Sequence, residues 1–486
     1  MTMPLRLFNS LTRQVEDFAP LVGNVARVYT CGPTVYNYQH IGNMRAYVFA
    51  DTLGRALTCK GYDLNHVINI TDVGHLTSDA DSGDDKMEKA ANAAGKTAWD
   101  IAKFYQADFE SDLVRLNIRK PQHPRATDYV DAMIAWAKAI EAKHCYRLDS
   151  GLYFDTSTVP DYGRLARAST DDGQSRIDPV PGKRQPSDFA IWRTTPPGQT
   201  RQMEWDSPWG KGAPGWHLEC SVMSGALLGF PFDIHTGGID HREIHHTCEI
   251  AQNQAHEGSA DSGAKIWMHN NFLIDRTKTK DSGKMSKSSG EFLRLQTLVD
   301  RGFHPLAYRM MCLQAHYRSE MEFTWEGLAA AFTRLKRMVM GVVALNQPPS
   351  SAVGTTISPN EGGLNALLDK FDSAIGDDLN TAVCLTIFDE IMAMKKIDPA
   401  EKSAAISYLD TVLGLNLLTL SRHDLRIGPV SAQTTEAEIE AALADRKAAR
   451  AAKDFATSDR IRDDLAAKGV EVMDGDPLGW DWKLDS

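Results

Sequence analysis

The sequence predicts an α/β protein built on a doubly wound parallel sheet, and three observations carry that prediction. A β-branched run at 25–30, a helix-period run over 42–60 and a second alternating run at 63–70 make one β-α-β unit. Between 146 and 202 the texture changes to short strand-like pieces punctuated by Gly and Pro, which reads as an insertion splitting the sheet. From 325 to about 420 the apolar residues keep helical spacing, and a small mixed segment ends the chain. The expected architecture is a Rossmann-like domain with an insertion, then an α-helical bundle, then a small C-terminal α+β domain.

Each element has its own signal. Val25 to Thr30 reads as a strand and Cys31-Gly32-Pro33 breaks it. Met44, Val48, Leu53 and Leu57 recur near the helical period, and Gly61 closes that helix. Residues 80–97, polar and rich in Asp, Ala and Lys, predict an exposed loop or lid. Helices follow over 98–116 and 126–142, and 347–363, rich in Pro, Ser and Gly, reads as a flexible loop. The expected divisions are 1–125 for the first half of the sheet domain, 126–204 for a connective insertion and 205–262 for the second half. After them come 263–323 with a lysine loop, 324–428 for the bundle and 429–486 for the end domain.

A chain of 486 residues has ample core volume for several domains. An apolar fraction of 42% and a charged fraction of 24% are those of a soluble globular protein. No apolar run approaches ~20 residues and no signal peptide is evident, so a membrane span is not expected. Seven scattered cysteines make no disulfide framework and fit a reducing, cytoplasmic setting. A net charge of −11 means that any nucleic-acid contact must use local basic patches on an acidic body.

Two distant motifs fit attack on ATP. His40-Ile41-Gly42-Asn43 stands at the mouth of the first strand–helix turn, where an imidazole and a helix N-terminus can meet phosphates. Lys284-Met285-Ser286-Lys287-Ser288, flanked by Gly283 and Gly290, is a loop whose lysines can neutralise charge as pyrophosphate leaves. In this order the pair resembles a class I aminoacyl-tRNA synthetase. A third constellation gathers Cys31, Cys220, His245 and Glu249, thiolates with an imidazole and a carboxylate, a plausible zinc sphere. Scattered cysteines more often pack as small hydrophobes, and no C-x-x-C pair is present. Cys248 and Glu249, three and four residues after His245, both lie within reach of a metal on its helix. Base rates for structural zinc favour the thiolate, whereas a harder carboxylate can lengthen its bond as a substrate sulfur enters.

Resemblance narrows these choices. Cys31-Gly32-Pro33-Thr34-Val35-Tyr36 leading into the His40 motif, Asn69-Ile70-Thr71-Asp72, Trp216-His217-Leu218-Glu219-Cys220 and Asp233-Ile234-His235 before Gly237-Gly238 are similar to cysteinyl-tRNA synthetases. His245-His246 with Glu249 to Gln252, His316 to Ser319 and Asp377 to Thr381 extend the match over nearly the whole chain. The resemblance implies a ligase that activates L-cysteine with ATP and Mg²⁺ and transfers it to tRNA-Cys. It implies one Zn²⁺ on Cys31, Cys220, His245 and Glu249, with Cys248 a bystander. His40, Gly42 and Asn43 face ATP, with His40, Asn43, Lys284 and Lys287 as the catalytic set and Lys287 on the phosphates. Asn43 stands where the family usually has a second histidine; its amide can donate a hydrogen bond but carries no charge. Gly32, Thr71, Trp216, His235 and Asp240 are the implied cysteine pocket. The family implies a monomer, a stem-contact role for 263–323, a tRNA-binding bundle and an anticodon-binding end.

In that end, Arg446, Lys447, Arg450, Lys453, Arg460 and Arg462 suit phosphates, and Trp480 and Trp482 suit stacking on unpaired bases. Eight Lys and Arg against ten Asp and Glu over 441–486 also fit an ordinary solvated surface. Three rivals remain: a ligase joining cysteine to an amino sugar in low-molecular-weight thiol synthesis, a non-catalytic RNA-binding paralogue, and a zinc hydrolase. The first lacks a tRNA-binding end, the second should have lost His40 or the lysines, and the third lacks its H-E-x-x-H motif.

Overall fold

A computed structural model describes residues 4–74, 86–166, 180–274, 293–345, 361–474, 476 and 478–484. A short hairpin, β1 (Arg6–Asn9) with β2 (Gln14–Asp17), precedes β3 (Val25–Thr30), α1 (Ile41–Cys59) and β4 (Asp63–Ile68), the expected β-α-β unit. α2 (Lys86–Ala94) and α3 (Ala98–Arg115) follow. The expectation of an exposed loop over 80–97 is corrected for its described part, 86–97; residues 80–85 lie outside the described residues. Met87 and Ala91, one helical turn apart, are buried in the main core, and the segment, with alanines at 90, 91, 93 and 94, winds into α2.

The insertion begins with a 3₁₀ turn (Ala126–Tyr129) and α4 (Val130–His144). It continues in an antiparallel sheet of β5 (Cys145–Leu148), β6 (Gly151–Phe154), β7 (Phe189–Thr194) and β8 (Gly212–Pro214), in that order. β8 lies past residue 204, so the sheet overruns the boundary expected for the insertion. The main fold resumes with α5 (Trp216–Leu228), β9 (Phe232–Gly238), α6 (Ile239–Glu243), α7 (His245–Glu257) and β10 (Ala264–Asn270). The parallel sheet has the order β10-β9-β3-β4, so a strand from beyond the insertion lies directly against the first one. Val28 and Tyr29 show the strand period at work: Val28 enters the core shared with the helical region, Tyr29 the core shared with the insertion.

β11 (Leu273–Ile274) pairs with β12 (Met321–Glu322), with α8 (Leu295–Asp300) and α9 (Pro305–Leu313) between them in sequence. The bundle comprises α10 (Trp325–Leu345), α11 (Glu361–Gly376), α12 (Thr381–Ala393) and α13 (Pro399–Leu413). Its core is continuous with one face of the parallel sheet. A charged knot crosses the seam. Asp51 of α1 lies 2.7 Å from Nη2 of fully buried Arg309 and 2.7 Å from Nε of Arg55, and accepts the Arg119 N–H at 3.0 Å. Arg309 also donates to the carbonyls of Leu413 and Leu116. The guanidiniums hold Asp51 below the usual carboxylate range although burial opposes them.

The end unit, α14 (Glu436–Ala451), α15 (Phe455–Ala467), β13 (Val470–Val472) and β14 (Trp480–Trp482), has its own small core. That core corrects the stacking role expected of the tryptophans. Trp480 is 0% and Trp482 5% exposed, packed against Ile439, Leu465 and Val470. Arg446 is likewise buried and makes a bidentate pair with Asp474 at 2.8 and 3.0 Å. Lys447, Arg450, Lys453, Arg460 and Arg462 remain on the surface. Asp481 joins the unit to the bundle by ion pairs with Lys336 and Arg422. Among the described residues no helix is long and apolar enough to cross a membrane.

Candidate active site and metal centre

The site is assembled at the C-terminal ends of β3 and β9, where ligands of open α/β sheets bind. Cys31 directly follows β3, and its N–H is tied to the Thr236 carbonyl of β9 at 3.0 Å. Gly32 admits no side chain: a Cβ there would sit 1.5 Å from the Asn69 carbonyl oxygen. Cys220 lies in the second turn of α5, His245 opens α7, and Glu249 stands one turn further along the same face.

These four donors converge. Cys31 Sγ is 4.0 Å from Cys220 Sγ, Cys220 Sγ 3.4 Å from His245 Nε2, and His245 Nε2 3.1 Å from Glu249 Oε1. All four ligand atoms lie within 4.8 Å of one another and all four residues are buried. Bonds of about 2.0–2.3 Å around a tetrahedral Zn²⁺ set their ligand atoms about 3.3–3.8 Å apart, so the spacing and the S₂NO chemistry fit that ion. Among the described residues Glu249 Oε1 is buried and accepts no well-aligned hydrogen bond, His245 Nε2 approaching it at 3.1 Å, while Oε2 is 2.9 Å from His235 Nε2. That is the division of labour expected when one carboxylate oxygen faces an ion and the other is oriented from behind. Cys248 points elsewhere; its sulfur lies 3.6 Å from the Tyr162 hydroxyl.

The donors are electrically coupled. The hydrogen bond with Cys31 lowers the Cys220 thiol to about 6 despite burial, and burial pushes the Cys31 thiol well up. Burial alone would depress His245, but Cys220 and Glu249 raise it to about 10. Burial opposes ionisation of Glu249, yet His235 and His245 hold it at about 2. A second combination, Cys31, His235, His246 and Glu249, is equally compact. In it His246 Nε2 lies 3.2 Å from Cys31 Sγ and is braced from behind, Nδ1 to His269 at 2.8 Å and His269 to Ser10 at 2.8 Å.

The other part of the site begins at α1. His40 is its N-cap and accepts the Asn43 N–H on Nδ1 at 3.1 Å, so the neutral ring carries its proton on Nε2. A Cβ at Gly42 would lie 2.9 Å from that ring, so the close turn requires glycine. Asn43 Oδ1 is buried without a hydrogen-bond partner among the described residues. Arg45, one turn along, donates to the carbonyls of Asn271, Phe272, His316 and Ser319 and so ties the segment before the lysine loop to the one that follows α9. Lys284 and Lys287 themselves lie outside the described residues.

The match to known proteins is extensive. Residues 17–333 fit the family model for the tRNA synthetases class I (C) catalytic domain, and residues 433–477 that for the cysteinyl-tRNA ligase anticodon binding domain. Over 491 residues the chain is 66% identical to a cysteine–tRNA ligase of Novosphingobium aromaticivorans, covering 99% of this chain and 97% of that one. The chain belongs to the cysteinyl-tRNA synthetase family. A second relative, the cysteine–tRNA ligase of Zymomonas mobilis, is 51% identical over 510 residues, covering 99% and 98%. Among solved structures, a Mycobacterium tuberculosis methionyl-tRNA synthetase bound by methionyl-adenylate aligns with a TM-score of 0.55 at 15% identity. That alignment covers 80% of this chain and 88% of the other and shows a shared fold.

Within this cysteinyl-tRNA synthetase family chain the expected pocket residues divide. Thr71 donates to Glu219 Oε2 at 2.8 Å, and the Trp216 ring lies 4.3 Å from the His245 ring. Asp240 is exposed in α6. His235 is fully buried behind Glu249, a position for orienting that carboxylate. Reading the sequence missed Asn69, Glu219, His217, His246 and His269. His217 lies 3.0 Å from His245 Nδ1, and burial, then Cys220, push the Glu219 carboxyl up to about 8. The adjoining Trp-His-Leu-Glu-Cys run was the available signal for two of the five.

Proposed function

We propose that this chain activates L-cysteine with ATP to cysteinyl-adenylate and transfers the cysteinyl group to the 3′ end of tRNA-Cys, selecting its substrate through a Zn²⁺-bound thiolate. The observation that carries the reading is the convergence of Cys31, Cys220, His245 and Glu249 beside the His40 helix terminus. Zinc, when bound, supplies a borderline-soft Lewis acid that prefers a thiolate to a hydroxyl and lowers the thiol's proton affinity. A pocket working by shape alone would separate cysteine from serine by only ~1–3 kcal/mol.

The chain's own residues do the rest. Glu249, held through Oε2 by His235, is a hard donor able to yield as a sulfur enters. His40, with Nδ1 taken up by the helix cap, carries its ring proton on Nε2, the donor with which it would meet a phosphate oxygen. The Asn43 side chain offers a further polar group there, and Lys284 and Lys287 bring charge from the loop. Catalysis is then chiefly positioning and charge neutralisation.

The rival cysteine–amino sugar ligase has no use for a C-terminal anticodon-type unit, and residues 433–477 match one. The testing experiment is pyrophosphate exchange with ATP, cysteine against serine, on protein of measured zinc content, followed by charging of tRNA-Cys. Exchange that ignores the difference between cysteine and serine would refute the thiol-reading proposal.

A further inference from the structure

We infer that Glu219 acts as a positioning residue that turns Thr71 into a pure hydrogen-bond acceptor for the ammonium group of the bound amino acid. The inference rests on the cysteine-activation reading above. Glu219 precedes Cys220 on α5 and is 2% exposed. Its Oε2 accepts the Thr71 hydroxyl proton at 2.8 Å, and its Oε1 accepts no hydrogen bond among the described residues. The described residues contain no Lys or Arg in ion pair with it. The neighbouring Asp72 is already occupied by Thr127, through the backbone N–H at 2.9 Å and the hydroxyl at 2.6 Å.

Thr71 is fixed from both sides. Asn69 Nδ2 donates to Thr71 Oγ1 at 3.2 Å, and Asn69 Oδ1 in turn accepts the Gly32 N–H at 2.8 Å and lies 3.9 Å from Cys220 Sγ. A hydroxyl has a single proton and two acceptor lone pairs. The proton goes to Glu219 and one lone pair to Asn69, so what remains toward a ligand is one acceptor site. Of the polar groups a cysteine brings beside the metal donors, the thiolate and the carboxylate only accept; the ammonium donates. The hydrogen bond that Thr71 gives to Glu219 polarises its hydroxyl oxygen and strengthens that acceptor toward a donor in front of it.

The test uses the full-length, zinc-loaded protein with Glu219→Met, Glu219→Gln and Thr71→Val. Glu219→Met releases the Thr71 proton and should raise the cysteine KM in pyrophosphate exchange roughly tenfold or more, the scale of one hydrogen bond to a charged group. The KM for ATP and the zinc content should hold. Glu219→Gln keeps a carbonyl acceptor for Thr71 and should restore most of the loss. Thr71→Val should match Glu219→Met, and the double variant should be no worse than either. Calorimetric binding of 3-mercaptopropionate, which keeps the thiol and lacks the ammonium, should be the same for all four proteins. An equal loss of affinity for cysteine and 3-mercaptopropionate would overturn the inference, as would a double variant whose losses multiply. Should Glu219→Met fail to fold, Thr71→Val alone decides: it must collapse the preference for cysteine over 3-mercaptopropionate, and an unchanged preference overturns the inference. A parent protein without cysteine-dependent exchange removes the proposed function as well, whereas an active parent with an unaltered KM in the variants removes this inference alone.

Discussion

Asp51→Asn removes the charge at the centre of the knot that fastens the sheet domain to the bundle. Asparagine keeps the volume and one acceptor oxygen, yet it leaves Arg309, which is fully buried, and Arg55 without their anion. Removing one partner from a buried ion pair costs about 3–5 kcal/mol. The retained oxygen places the expectation at the lower end, about 3 kcal/mol. With an unfolding entropy of about 2 cal/mol/K per residue over a cooperative unit on the order of 400 residues, the Tm should fall by about 4 °C. Arg309→Met should cost somewhat less, because Asp51 keeps Arg55 and the Arg119 N–H. The two substitutions delete the same pair, so the double variant should be more stable than the sum predicts by at least about 1 kcal/mol. Differential scanning calorimetry of the zinc-loaded protein measures all three. An unchanged Tm for Asp51→Asn, or strictly additive losses in the double variant, would refute the claim that this pair carries the seam.

Three further outcomes follow from the structure. His304 caps α9 by accepting the Leu306 N–H on Nδ1 at 3.2 Å, and burial lowers it from 6.5 to about 4. Below 6.5 the unfolded chain takes up a proton that the folded chain refuses, so this stability is present above 6.5 and lost as pH falls through about 4. The loss is at most about 3 kcal/mol, and His304→Asn should flatten the Tm–pH curve in that window. Cys248→Ser should leave one zinc per chain and a normal cysteine KM, whereas Glu249→Gln should lower zinc affinity on the order of tenfold or more, read by competition with a chelating dye. Truncation after Val430 should preserve cysteine-dependent pyrophosphate exchange and lower kcat/KM for tRNA charging by orders of magnitude; unchanged charging would give the end unit another role.

The sequence made the β3-α1-β4 unit legible because its apolar residues keep strand and helix spacing, and Gly32-Pro33 and Gly61 mark the ends of β3 and α1. The same logic separated Glu249 from Cys248 only in part. Both lie one helical turn from His245, and it is the Tyr162 hydroxyl, from the distant insertion, that accompanies the Cys248 sulfur. Trp480 and Trp482 were misread because alternation over three residues cannot say whether a ring faces RNA or its own small core. Residues 80–97 looked like a loop because alanines score weakly as apolar, yet Met87 and Ala91 suffice to dock α2. Glu219 and Asn69 were invisible as a pair, since their meeting at Thr71 depends on β4 and α5, which the insertion separates in the chain.

The interleaving of β9 beside β3 sets a timetable for synthesis. Cys31 leaves the ribosome first and Glu249 last, with the whole insertion made between them. At about 5–20 residues per second that interval is on the order of tens of seconds. Until α5 and α7 are made, Cys31 stands at a strand end without the neighbours that those helices supply. Its window for oxidation therefore falls in the nascent chain, and closes when β9 docks and buries the sulfur.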